Sequence, residues 1–204
     1  MTTVRVPPGR AGRLHLRRKL TTAERGAGLL ERKLHALLPQ QQARRRAAEE
    51  SLRAWREAAA EADAWLGRAL AAVGDDGLRL ALPGAAAGVS VRAASSMGVR
   101  YPDEVVCDLP GELPEADPGS AALVCARTAH VRAVRAAAQA AVDQGALRAL
   151  DAAVTTTRRQ IRVLRRHWIP ALRAAHERLE FVLEQSDFED GVRRRHAASR
   201  SSRA

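Results

Sequence analysis

The stretch from Leu16 to Gln41, LRRKLTTAERGAGLLERKLHALLPQQ, places Leu16, Leu20, Ala23, Ala27, Leu30, Leu34, Leu37 and Gln41 at an unbroken 4-3-4-3 spacing. A strand shows a period of two and an ordinary surface helix about 3.6; a sustained average near 3.5 is the seam of a coiled coil. The spacing predicts one long helix burying a narrow apolar line against a second helix. The same spacing resumes at Ala48 and runs through Leu52, Trp55, Ala59, Ala62, Leu66, Ala69 and Val73. The interruption, Pro39 to Arg46, is polar, and a proline removes a helical hydrogen bond, so a bend or short break is expected near Pro39. Gly74-Asp75-Asp76-Gly77 is expected to end the helix.

The partner helix is readable further along, from about Ala121 to about Arg194. Its best seam is Leu147, Leu150, Val154, Thr157, Ile161, Leu164, Trp168, Leu172, Ala175, Leu179 and Val182. The spacing slips once, at Leu164, Trp168 and Leu172, a stutter that unwinds a supercoil locally; Pro170 sits inside it as a candidate kink. Leu16 to Val73 and Ala121 to Val182 are nearly equal lengths of 58 and 62 residues, as expected of helices that fold back on each other. Such a pair would form an antiparallel rod roughly 90 Å long. That register sets Trp168 against Ala27 and Leu30, and Trp55 against Ala141, large opposite small.

Between the helices, Leu78–Leu82 and Val89–Val91 alternate around Pro83-Gly84 and Gly88, a hairpin candidate. A further strand candidate follows at Val105-Val106, then a loop with Pro110, Gly111, Pro114, Pro118 and Gly119. The expected fold class is all-α, a long antiparallel two-helix coiled coil with a small β-hairpin and loop insert. One domain spans 1–204: an N-terminal helix over about 11–73, the insert over about 78–120, a C-terminal helix over about 121–194 and a basic tail over 195–204.

Composition agrees with thin elements packed closely. Of 204 residues 46% are apolar but only 3% aromatic, too few rings to fill a thick globular core. The formal charge of +11 suits an acidic partner of any kind: nucleic acid, an anionic membrane surface or an acidic protein cavity. Of the 34 cations all but Lys19 and Lys33 are arginine. Two cysteines, Cys107 and Cys125, form no CxxC and no framework, which suits free thiols in a reducing compartment. The start MTTVRVPPGR lacks the apolar segment of a signal peptide, and the longest uncharged run, Leu80 to Val91, is too short to span a bilayer. A cytoplasmic protein without membrane insertion of its own is expected.

Catalytic constellations do not appear in the sequence. Neither lysine follows a glycine as a phosphate-cradling loop requires, and no GxGxxG stands between a strand and a helix. The six histidines are scattered, with no HExxH and no Cys/His cluster at zinc spacing. Glu49, Glu50, Glu57 and Glu61 stand within a turn or two of Arg46, Arg53 and Arg56, where pairing along one helix accounts for them. No catalytic, cofactor-binding or metal-binding residue is therefore expected. The arginine runs Arg44–Arg46 and Arg158–Arg166 lack the interleaved aromatics of a stacking platform, which weakens a nucleic-acid role and leaves solvated helix faces or an acidic protein partner.

Three separated segments, together covering most of the chain, resemble the D subunit of the V-type and A-type rotary ATPases. Pro8-Gly9-Arg10 followed by AERGAGLLERKL over 23–34 is similar to the family's N-terminal helix, with its P-T-R start and A-x-R-G-x-x-L-L-K-x-K-R core. Ser96-Met97-Gly98-Val99-Arg100 with Pro102 resembles its central I-M-G-V-x-x-P element. Most specific, Thr157-Arg158-Arg159-Gln160-Ile161-Arg162-Val163-Leu164 with Ile169-Pro170-Ala171-Leu172 resembles T-R-R-R-V-N-A-L-x-x-x-x-I-P-x-L without gaps. Arg162 departs from the family's asparagine, Pro39 lies where the family's helix continues, and the Gly84 to Gly88 turn is rich in alanine.

The resemblance implies a noncatalytic rotor shaft in the central stalk, carrying torque between a catalytic hexamer and a membrane ring that moves protons or sodium. Implied partners are the catalytic A and noncatalytic B subunits, the F subunit of the stalk and the component linking stalk to ring, with no nucleic acid and no cofactor. Candidate torque contacts are Arg10, Arg13, Arg17, Arg18, Arg25 and Arg32 on the first helix and Arg158, Arg159, Arg162, Arg165 and Arg166 on the second; simple solvation is the alternative for each. The hairpin is expected to contact a partner and modulate hydrolysis. The competing functions are a basic coiled-coil nucleic-acid binder and a generic helical adaptor.

Overall fold

A computed structural model describes residue 7 and residues 9–81, 86–109 and 120–201. Pro8, the Pro83-Gly84 turn and the loop prolines and glycines of 110–119 lie outside the described residues. In chain order the elements are helix α1 (Gly9–Leu80), strands β1 (Gly88–Ser96) and β2 (Val99–Asp108), helix α2 (Ala121–Val163), a π-helical turn (Leu164–Trp168) and helix α3 (Ile169–Ser201). They belong to two compact units, one of residues 1–34 with 155–204 and one of residues 35–154.

In the first unit the start of α1 packs antiparallel against the end of α2 and α3. Leu16, Ala23 and Ala27 form one buried cluster with Ile169, Leu172 and Ala175, and Leu20, Leu164, Trp168 and Leu179 pack on its flanks. Leu16 and Leu172 are fully buried. As the α1 partner advances from Arg10 to Glu24 to Glu31, its ion-pair partner retreats from Asp187 to Arg173 to Arg165, which defines the register. Trp168 thus joins the cluster that holds Ala27, as the heptad register requires.

The stutter takes the form of the π-turn. Pro170 has no N–H to donate, and its ring would meet the carbonyl of Arg166 in a regular α-helix. Widening the preceding turn relieves that clash, and the N–H of Ile169 donates to the carbonyl of Leu164, five residues back. The extra residue shifts the seam downstream by one position. A strict 4-3 continuation from Leu164 would select Trp168, Ala171, Ala175, Arg178 and Val182, of which Arg178 and Val182 are exposed; the seam read with its stutter selects Leu172, Ala175 and Leu179, and Leu172 and Ala175 are buried and Leu179 half-buried. Val182, expected to continue that seam, is instead 57% exposed.

In the second unit α1 and α2 pack through alanine. Ala58 and Ala62 meet Ala129 and Ala133, and Ala69 meets Leu123 and Ala126. Trp65 packs against both groups. The expected partnership of Trp55 with Ala141 does not form: both side chains are exposed, and Trp65 supplies the large residue among small ones instead. Pro39 lies within α1 without a break in helical dihedrals. The non-helical residue is Gly74, at φ 69° and ψ 178°, a conformation open essentially to glycine, after which the helix resumes to Leu80. Gly74 to Gly77 therefore kinks the helix where an end was expected.

The hairpin lies later than its expected position. Leu78 to Leu80 are helical, and the strands are β1 and β2, paired antiparallel from Gly88 with Asp108 to Ser96 with Val99. Their turn uses Met97 and Gly98, both at positive φ. Val105-Val106 falls within β2 as expected. The register slips between Arg92 and Ala93, which pair with Glu104 and Pro102, so Asp103 is the extra residue of a bulge. The fold is a pair of long antiparallel helices with a small two-stranded hairpin inserted between them.

Candidate functional site

The heptad that buries Leu16 and Ala23 also aligns the residues facing away. Arg18, Arg25 and Arg32 recur every seven residues along α1, and Arg159 and Arg166 do so along α2 and the π-turn. All eleven candidate arginines of the sequence lie in the first unit and are exposed. The structure divides them. Arg165 makes two hydrogen bonds to Glu31, whose bonding and charge raise its already high pKa, and Arg10 lies 3.5 Å from Asp187. Arg13, Arg17, Arg18, Arg25, Arg32, Arg158, Arg159, Arg162 and Arg166 have no carboxylate partner among the described residues. These like charges repel one another, and each keeps its guanidinium toward solvent.

Shallow grooves run beside these stripes. One is lined by Leu14, Arg17, Arg18, Thr21, Thr22 and Arg25, another by Arg18, Lys19, Gly26, Leu164 and Trp168 among others. The hydroxyls of Thr21 and Thr22 donate back to the carbonyls of Arg17 and Arg18, so they are held to their own helix.

Sequence reading missed the apolar part of this surface. The chain has two phenylalanines, and both, Phe181 and Phe188, are exposed, at 64% and 68%. They stand seven residues apart on α3, and Leu14 and Leu29 of the same unit are also exposed. Their seven-residue spacing, off the seam that runs through Leu172, Ala175 and Leu179, was the available signal.

A second polar site lies in the other unit. Arg44, expected on a solvated face, donates to the carboxylate of Asp103, lies over the Tyr101 ring at 5.2 Å and approaches Asp143 at 4.0 Å. Burial disfavours its charge, but the bond and charge of Asp103, with Tyr101, outweigh that and raise its pKa. Asp143 is 5% exposed, at a seam position of α2, and accepts a 3.1 Å hydrogen bond from Gln139. Glu61, expected to pair along its own helix, instead pairs with Arg132 of α2. Cys107 and Cys125 are both free and half-buried. No helix among the described residues is long and apolar enough to cross a membrane.

Comparison with known families places this helix pair. The family of the ATP synthase D subunit matches over residues 13–199, nearly the whole chain. The chain belongs to the ATP synthase D-subunit family. Membership gives it a role in the stalk of an ATP synthase or ATPase, within a complex of several proteins. The matched span takes in the arginine stripes, the π-turn with Pro170 and the hairpin. A search of curated proteins returned no match.

Proposed function

We propose that this protein is the central-stalk rotor shaft of a V-type or A-type ATPase or ATP synthase, carrying torque between a catalytic hexamer and a membrane ring that translocates protons or sodium. The observation that carries the reading is the unit of residues 1–34 and 155–204: a closely packed helix pair with nine exposed arginines that have no carboxylate partner among the described residues, and two exposed phenylalanines. The catalytic A and noncatalytic B subunits would surround this unit, with the F subunit and the component linking stalk to ring engaging the rest. ATP chemistry belongs to the hexamer; the chain itself is noncatalytic.

The mechanism is that of a cam. A stiff, asymmetric shaft makes different contacts with each catalytic interface, and turning it biases their conformational equilibria in sequence. Arginine suits such contacts, because its fork keeps its charge and meets carboxylates with two parallel bonds. Torsional stiffness would come from the packed helix seam within each unit. A tagged chain recovered from nuclease-treated extract, with intact-complex mass spectrometry, tests the reading. Three A and three B subunits around one copy are expected. Recovery of the chain alone, or only of nucleic acid before nuclease treatment, would refute it.

A further inference from the structure

The hairpin touches the helices through three consecutive residues of β2. Tyr101 lies under the Arg44 guanidinium, Pro102 abuts α2 at Gly145, and Asp103 accepts from Arg44. A Cβ added at Gly145 would stand 3.0 Å from Cγ of Pro102, so the close approach depends on that glycine. In a regular strand, residues 101 and 103 share a face and 102 points away. The bulge at Asp103 breaks this alternation and lets all three residues reach the helices. Proline in a strand is tolerated at such a bulge.

The hairpin has little else to order it. β1 is exposed along nearly its whole length, with Val89 and Val91 both more than half exposed. An isolated two-stranded hairpin is marginal in water. Arg44, by contrast, joins three elements, since Asp103 is on β2 and Asp143 on α2.

We propose that the hairpin is an arm clipped to the helix pair by a latch made of Arg44, Tyr101, Asp103 and the Pro102–Gly145 contact, and that the arm releases without unfolding either helix. Arg44 acts as a positioning residue: its guanidinium fixes the pose of β2, while Asp143 at the seam also accepts from Gln139 and so keeps a partner without it. Latched, the arm moves with the helices as one body; released, it frays.

Amide hydrogen exchange of the full chain, read by mass spectrometry, tests this in two variants. Arg44→Met keeps length and helix propensity but removes the charge. Gly145→Leu favours the helix and wedges Pro102 away. In both, peptides covering Val99–Asp108 are expected to exchange about tenfold faster or more, while peptides from 48–69 and 123–142 keep their protection. Hairpin exchange unchanged in either variant would overturn the latch. Helix peptides accelerating in step with the hairpin would overturn independent release.

Discussion

Arg165 meets Glu31 through two parallel hydrogen bonds, 2.9 Å from Nε and 3.0 Å from Nη2, and so ties the π-turn to α1 at the flank of the buried cluster. The geometry is bidentate, yet both side chains are well exposed to solvent. Solvent and salt screen such a pair, so it orients more than it stabilises. Arg165→Met is expected to move the melting temperature only slightly. Leu172→Ala, which empties a fully buried position, is expected to cost about 2–5 kcal/mol in chemical denaturation. Equal losses in the two variants would show that the pair carries the packing.

The π-turn makes a one-residue deletion tolerable where it would ordinarily be ruinous. Removing exposed His167 and replacing Pro170 with alanine lets α2 and α3 join as one α-helix, with Leu164, Ile169, Leu172, His176, Leu179 and Leu183 in an uninterrupted 4-3 spacing. Circular dichroism should show full helicity and an unchanged or higher melting temperature. Deleting exposed Arg148 instead shifts the seam out of phase and should lower it by several degrees.

Two glycines of α1 are expected to respond in opposite directions. Gly67 has helical geometry and open space where a Cβ would stand, so Gly67→Ala should stabilise by about 0.5–1 kcal/mol. Gly74 sits at φ 69°, so Gly74→Ala should destabilise by about 1–3 kcal/mol or straighten the kink. Thermal melts of the two variants side by side decide the sign of each.

Neutralising a stripe separates stability from contact. Arg18→Gln, Arg25→Gln and Arg32→Gln together break no ion pair among the described residues and remove mutual repulsion, so the isolated chain should melt at the same or a higher temperature. In a reconstituted complex the same variant should assemble more weakly as salt rises and couple ATP hydrolysis less tightly. A lower melting temperature with unaltered coupling would assign the stripe to the fold.

Most of the helix seam was legible because burial in a coiled coil follows period alone. Leu16, Ala23, Ala27, Leu37, Ala48, Ala62 and Ala69 are buried at the positions their spacing selects. Trp55 was misplaced because, in an alanine-rich stretch, several neighbouring registers have nearly the same apolar pattern, and only the partner helix chooses among them. The hairpin was displaced because alternation at Leu78–Leu82 resembles a strand when read locally, while continuation of α1 past Gly74 depends on packing of Leu78 and Ala81 against the second helix.

The candidate arginines could be named from sequence but not sorted, since an exposed cation reads alike whether or not a carboxylate stands opposite. Arg165 differs from Arg166 only through Glu31, 134 residues away. Sequence by itself determined two long helices, their antiparallel pairing around Trp168 and Ala27, the interruption at Pro170 and the cationic faces, because each follows from local period or from a backbone N–H that proline lacks. Tertiary structure decided that Arg44 is half-buried against Asp103 and Tyr101 and approaches Asp143, and which of the arginines stand opposite a carboxylate. Those outcomes depend on side chains far apart in sequence meeting at one point, and no local pattern encodes that meeting.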